Sequence, residues 1–300
     1  MRSARANLEV VQSLLETFQF TPRYEDLLEA TYRCFIRSGQ TVVDIGAHAG
    51  RHTVQFAELV GAEGAVHAFE PLPEAMGYLQ SRGLGPHVRT YPIAISPKRG
   101  RTSFVYAKGA PEESGLRPKA YNRPDLVQPE TITVETLPLD DMVDTIGPVH
   151  FIKVDAEGAE VDCLSSGAAM IRKHRPWITV EYGEPGYAAF SLQRRSLFDK
   201  AAELGYVMGD LFGGLMEDVA DWEAVCDRAY WDWYLVPQEK REEWIATMPI
   251  FGWPKASERN ELSKLQKENA QLRAEIDAMR FSTSWRISAP LRTLGRRLRP

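Results

Sequence analysis

The chain has 300 residues, 44% of them hydrophobic and 26% charged, the balance of a folded globular protein and not of a disordered or fibrous one. A net charge of -5 gives no overall attraction to nucleic acid, so none is expected as a partner. Three cysteines, Cys34, Cys163 and Cys226, lie far apart without a Cys-x-x-Cys pair, which argues against a disulfide framework or a zinc site and for a reducing, cytoplasmic setting.

The N-terminus starts basic, but Gln12, Ser13, Glu16 and Thr17 break its apolar run, unlike a signal peptide. No run of about 18 apolar residues follows that would span a membrane. Leu8, Val11, Leu14, Leu15 and Phe18, then Leu27, Leu28, Tyr32, Phe35 and Ile36, recur at helical spacing and predict two helices within residues 1–38. TVVDIG reads as a buried strand ending in a glycine turn, and Thr53 to Val60 as the helix behind it, closed by Gly61. AVHAFE, VRTYPIAI, VHFIKVD and WITVEYG repeat the strand pattern with helical stretches between some of them. That alternation predicts an α/β, Rossmann-like domain over residues 39–254 with a mostly parallel, doubly wound sheet. Residues 101–106 and 131–136 read as extra β structure around a Pro-rich loop, 108–130, where Ser114, Arg117, Tyr121 and Arg123 are candidates for a lid. YWDWYLV alternates aromatic and polar residues and suits a late antiparallel strand at the sheet edge.

From residue 255 the pattern changes. Leu262, Leu265, Asn269, Leu272, Ile276 and Met279 form an a/d seam over a 255–281 coiled-coil helix, with Glu268 facing Arg273 and Glu275 facing Arg280 across a parallel dimer. The alternative is a single amphipathic helix packed on the main domain. The 282–300 tail carries five arginines and no acid, with Trp285, Leu291, Leu294 and Leu298 on one helix face. It reads as a peripheral contact with the inner membrane face, or as a plain solvated end.

Asp44-Ile45-Gly46-Ala47-His48-Ala49-Gly50, with Thr53 beginning the following helix, is the strongest cofactor signal. Gly46 and Gly50 permit close backbone approach, and amides at the helix start suit a carboxylate such as that of a methionine moiety. Asp44, ahead of the first glycine, favours a cofactor with a cationic amino group, and the loop lacks the G-x-G-x-x-G of dinucleotide sites. Glu70 closes the next strand, where a carboxylate can accept from both ribose hydroxyls.

These segments, DIGAHAGRHT, FEP, AIS with Gly100, LDD at Leu139 to Asp141 and IKVDAEGAE, spanning roughly residues 24–182, resemble the FkbM-type methyltransferases. The resemblance implies a Rossmann-like class I methyltransferase fold, S-adenosylmethionine as cofactor, and O-methylation of a sugar, glycan or secondary-metabolite hydroxyl. It places Ala94, Ile95 and Ser96 beside the adenine. The family usually carries Asn where this chain has His48. SWRISAPLR in the tail also resembles C-terminal segments of bacterial enzymes of surface-polysaccharide assembly.

Methyl transfer to an alcohol needs alignment and a proton acceptor. Lys153 and Asp155 stand two apart at the end of one strand and Glu157 follows in the turn, so Asp155 or Glu157 is the candidate base, with Lys153 holding Asp155 ionised. A purely structural Lys153–Asp155 pair with Glu160 exposed is the competing reading. Glu181 joining Asp155 around Mg²⁺ is possible but not favoured, so no metal ligand is assigned. His48 and His52 are further possible bases, though loop histidines there are more often surface groups. The rival functions are a cofactor-binding scaffold without turnover, organised by the coiled coil, and a nucleotide-linked oxidoreductase.

Overall fold

A computed structural model describes residues 3–18 and 23–248, together with Gln271. The first two elements are α1 (Ala4–Phe18) and α2 (Tyr24–Tyr32), whose apolar positions Leu8, Leu28 and Tyr32 join the main core with Phe35 and Ile36. Residues 3–13 and 23–248 thus make one compact unit in which the N-terminal helices and the sheet share a core. Residues 14–18 belong to a second unit that lies almost wholly outside the described residues. The predicted seam Leu262–Met279 and the arginine tail 282–300 also lie outside them.

The predicted strand-turn-helix unit forms as β1 (Thr41–Ile45) and α3 (Arg51–Val60). The helix starts at Arg51, two residues ahead of the predicted Thr53, with Gly50 as its left-handed N-cap. After β2 (Ala65–Phe69), α4 (Pro73–Ser81) begins with a proline, whose missing N–H costs nothing there. VRTYPIAI, predicted as one strand, is divided between two sheets. β3 (Val88–Tyr91) stays in the main sheet, whereas β4 (Ile93–Ile95) belongs to a second one. Pro92 stands at the break, where it cannot donate to a ladder.

β5 (Gly100–Lys108) and β6 (Gln128–Leu137) pair antiparallel along their full length, longer than the predicted segments, and β4 adds parallel to β6. Next come α5 (Val143–Ile146), β7 (Phe151–Val154), α6 (Glu160–Ser166), α7 (Ala168–His174), β8 (Trp177–Glu181), α8 (Glu184–Ala189) and α9 (Arg195–Glu203). The unit closes with β9 (Tyr206–Gly209), β10 (Leu215–Met216), α10 (Val219–Val225), β11 (Asp232–Pro237) and α11 (Arg241–Thr247).

The main sheet runs β10-β9-β11-β8-β7-β1-β2-β3. Its β3, β2, β1, β7 and β8 are parallel, and all four residues of β7 are buried because both faces are covered. β11, the predicted late strand, is antiparallel but is not an edge strand: it inserts between β8 and β9. The reason lies in β9 and β10, which the sequence pattern did not reveal and which take the outer positions. The chain leaves β1 toward β2 and β3 and later returns to its other side as β7, so a crevice opens at the carboxyl ends of β1 and β7.

Candidate active site

Gly46 and Asp155 end β1 and β7 and press against one another. Gly46 has φ 77°, and a Cβ there would lie 1.7 Å from the Asp155 carbonyl oxygen, so no side chain fits. Beside this junction opens a cavity of about 370 Å³. Phe69, Pro71, Ile93, Ala94, Ile95 and Phe104 give it an apolar lining, and Lys153 with the converging Asp155, Glu157 and Glu181 marks its acidic end.

Glu70 also lines the cavity, 5% exposed. Its Oε2 accepts from the His48 amide at 2.8 Å and its Oε1 from the Leu72 amide at 2.7 Å. Burial pushes its pKa up to about 7, against the pull of those two amides. His48 holds φ 47°, a left-handed conformation that Asn and His both tolerate better than most residues. Its backbone amide serves Glu70, and the residue lines the cavity.

Of the predicted cofactor residues, Gly46, Ala47, His48, Glu70, Ala94 and Ile95 line the cavity, and Asp44, Gly50, Thr53 and Ser96 do not. Asp44 and Thr53 are fully buried beneath the loop, with Thr53 Oγ1 donating to Asp44 Oδ2 at 2.6 Å. Asp44 Oδ2 thus ties the loop to the helix, while its Oδ1 is buried with no hydrogen-bond partner among the described residues. His52, expected as a surface group, is 8% exposed; its Nε2 lies 2.9 Å from Glu25 Oε2 and its Nδ1 3.3 Å from the Tyr32 hydroxyl. Glu25, on α2, reaches the same wall, a contact no local motif announces.

At the acidic end, Lys153 Nζ lies 2.7 Å from Asp155 Oδ2 and is almost completely buried. Burial alone would depress the lysine, but Asp155 and Asp44 outweigh it and its pKa rises. Burial would likewise raise Asp155, yet the lysine beside it keeps that carboxyl below its usual range. Glu157 is pushed up to about 8, by burial first and then by the Asp155 charge, although Lys119 pairs with it. Burial and the charges of Asp155 and Glu157 raise Glu181 well above its ordinary value. Oxygens of Asp155, Glu157 and Glu181 all lie within 4.8 Å of one another, a spacing open to a divalent ion, but Lys153 and Lys119 already supply two counter-charges.

Glu160 is not an exposed helix residue. It is 1% exposed, and its Oε1 accepts from the amides of Ala156 and Gly158 at 2.9 and 3.0 Å, pinning the turn in which Glu157 adopts φ 56°.

The long loop comes down over this end. Its Gly115 exchanges two backbone hydrogen bonds with Val105 of β5, and Glu113 accepts from the Asn122 amide at 2.9 Å. Of the predicted lid residues Ser114 lines the cavity, whereas Arg117 turns away to the Ala189 carbonyl and the Phe190 ring. Tyr121 and Arg123 do not line it. Lys119, Glu113, Asn122 and Trp231 do the work at this end, and the sequence reading missed all four. A lysine in a proline-rich loop and a tryptophan before a strand carry no signal until the fold brings them to Glu157 and Glu181.

The profile of the Methyltransferase FkbM domain family matches residues 44–208, from the end of β1 into β9, and so covers the glycine loop, Glu70 and all three carboxylates. The chain belongs to the FkbM methyltransferase family. The strand order, with its antiparallel β11 between β8 and β9, is accordingly the Rossmann-like class I methyltransferase arrangement. The solved methyltransferase FkbM from Methylobacillus flagellatus KT is 17% identical at a TM-score of 0.42, over 66% of this chain and 44% of that one, so this chain spans less than half of its length. A putative rRNA-methylase from Clostridium thermocellum is 13% identical at 0.41, over 72% of this chain and 97% of the other. Fibrillarin from Aeropyrum pernix, in complex with natively bound S-adenosyl-L-methionine, is 12% identical at 0.38, over 70% and 74% of the two chains. No curated protein matches the sequence.

Proposed function

We propose that this FkbM-family chain is an S-adenosylmethionine-dependent O-methyltransferase acting on a hydroxyl of a sugar, glycan or related metabolite. The observation that carries the reading is the mixed lining of the cavity: apolar residues and the amide-bonded Glu70 carboxyl, together with the converging carboxylates Asp155, Glu157 and Glu181.

Those residues fit the donor. Ala94, Ile95 and Phe69 would flank the adenine. Glu70 has used one lone pair of each oxygen on backbone amides and keeps the rest for ribose hydroxyls. The start of α3, at Arg51 and His52, offers helix-terminal amides to the methionine carboxylate. When bound, S-adenosylmethionine supplies an electrophilic methyl group on a cationic sulfur.

The rest is the work of the chain's own side chains. Lys153 keeps Asp155 ionised, and that fixed negative charge would stand toward the cationic sulfur of a bound donor. Glu157, pushed up to about 8, is matched to accepting a proton from an alcohol near neutral pH. Glu160 holds the turn that aims it. The loop carrying Lys119 covers the acidic end and limits access of bulk water.

The dimer through residues 262–279, the peripheral membrane contact through the tail and a place in surface-polysaccharide assembly belong to the same proposal. They rest on the heptad spacing and the arginine-rich tail alone. No described helix is long and apolar enough to cross a membrane. Methyl-labelled S-adenosylmethionine incubated with the protein and a panel of saccharides, glycolipids, catechols and small alcohols, read by mass spectrometry, tests the function. Label carried only by non-saccharide acceptors, or by none, refutes the sugar assignment.

A further inference from the structure

A second cavity, of about 220 Å³, opens beside the first and shares Glu113, Asn122, Glu157, Glu181 and Trp231 with it. Trp231 is 46% exposed, whereas Trp177, Trp222, Trp233 and Trp244 are all buried. The residues around it are otherwise packed inward: Tyr230 and Trp233 are core side chains, and the Trp231 carbonyl is tied to the Tyr182 amide at 2.8 Å. The backbone thus holds one large aromatic face at the junction of the two cavities. The second cavity is lined by six carboxylates against one cation, Lys119, which is already paired with Glu157. One of the six, Glu160, is 1% exposed and spends its Oε1 on the Ala156 and Gly158 amides, so it belongs to the wall and not to the open face.

We infer, resting on the O-methyltransferase reading above, that Trp231 is the platform on which the ring of a saccharide acceptor lies, and that the acid-lined cavity beside it takes uncharged or amino-bearing sugars and rejects phosphorylated ones. A pyranose presents C–H groups on its face and hydroxyls at its rim. An exposed indole covers the former while carboxyl groups such as Glu181 and Glu184 bond the latter. A phosphate would find acids on every side and, among the lining residues, one cation, Lys119, already paired with Glu157; its charge would hold the raised Glu157 and Glu181 carboxyls protonated and meet the remaining acids as like charges. Burial and neighbouring acids raise Glu157 and Glu181, as expected where carboxylates outnumber the cations near them.

The full chain is assayed with methyl-labelled S-adenosylmethionine against methyl glycosides of a neutral hexose, a 6-deoxyhexose and a 2-amino sugar, and against the 6-phosphate of the neutral hexose. Trp231→Ala should raise the KM for the accepted glycoside about tenfold, Trp231→Phe by less than about threefold, with S-adenosylhomocysteine affinity within about twofold of wild type in both. Retained S-adenosylhomocysteine binding shows that the variants fold. The 6-phosphate should be at least about tenfold poorer than its neutral parent. An unchanged KM in Trp231→Ala, or preference for the phosphorylated sugar, overturns the inference while leaving the methyltransferase reading in place. Wild-type protein that binds S-adenosylhomocysteine yet methylates no glycoside overturns the sugar reading itself, and the inference with it.

Discussion

Replacing Glu70 by glutamine probes the donor end most directly. Alanine is the poorer choice, because it would orphan the His48 and Leu72 amides and confuse binding with stability. Glutamine keeps the shape and one acceptor oxygen but turns its NH2 toward the other amide and removes the charge that strengthens hydrogen bonds from the ribose, so its thermal midpoint is measured beside its affinity. Hydrogen bonds to a charged acceptor contribute about 1.5–3 kcal/mol, so losing the charge should weaken S-adenosylhomocysteine by about 1–3 kcal/mol, or roughly 5- to 150-fold. The wild-type carboxyl has its pKa pushed up to about 7 by burial, so the free protein carries it mostly protonated below that pH. A ligand that selects the ionised form then binds more tightly as pH rises toward 7, and its affinity levels off above. Below the pKa the loss should approach about tenfold per pH unit, and Glu70→Gln should abolish that dependence. Titration calorimetry between pH 5.5 and 8.5 reads both effects. A pH-independent wild-type affinity, or a Gln variant within about threefold of wild type, would refute the ribose assignment.

Asp155→Asn should lower turnover far more than donor affinity, since it removes charge at the reacting end; equal loss of both in kinetics and calorimetry would point to a structural role for its pairing with Lys153. The kcat/KM profile of the wild type should rise with pH through about 8, where Glu157 loses its proton, and Glu157→Gln should flatten that limb. Exhaustive EDTA treatment should leave activity unchanged because Lys153 and Lys119 already neutralise two members of the Asp155, Glu157 and Glu181 trio; activity lost on chelation and restored by Mg²⁺ would make the trio a metal site. A chain cut before Lys255 should sediment as a monomer, keep S-adenosylhomocysteine binding and lose affinity for anionic liposomes, whereas a dimer surviving the cut would show that the 262–279 seam does not hold it together.

The glycine loop and the carboxylate proposed to hold the donor were legible in the sequence because their determinants are local. A strand, two glycines and a helix start at Asp44 to Thr53, and a carboxylate closing the next strand at Glu70, lie within thirty residues and obey backbone rules that hold wherever the unit folds. Even so, burial separated residues that the motif lists together: Asp44 and Thr53 went beneath the loop, while Ala47 and His48 stayed on the cavity wall. The acceptor end was not legible, because it is assembled from distant pieces. Glu25 comes from α2, Lys119 from the long loop and Trp231 from the approach to β11, and each alone looks like an ordinary surface residue. The interior place of β11 was hidden for a related reason: its alternating pattern reports which side chains are buried but not which strands flank it, and β9 and β10 are too short to announce themselves. Sequence periodicity therefore determined the α/β class and the donor loop, where the physics acts over a few residues. Only the tertiary structure decided which acids share one cavity, where burial first and their mutual charges second set their protonation.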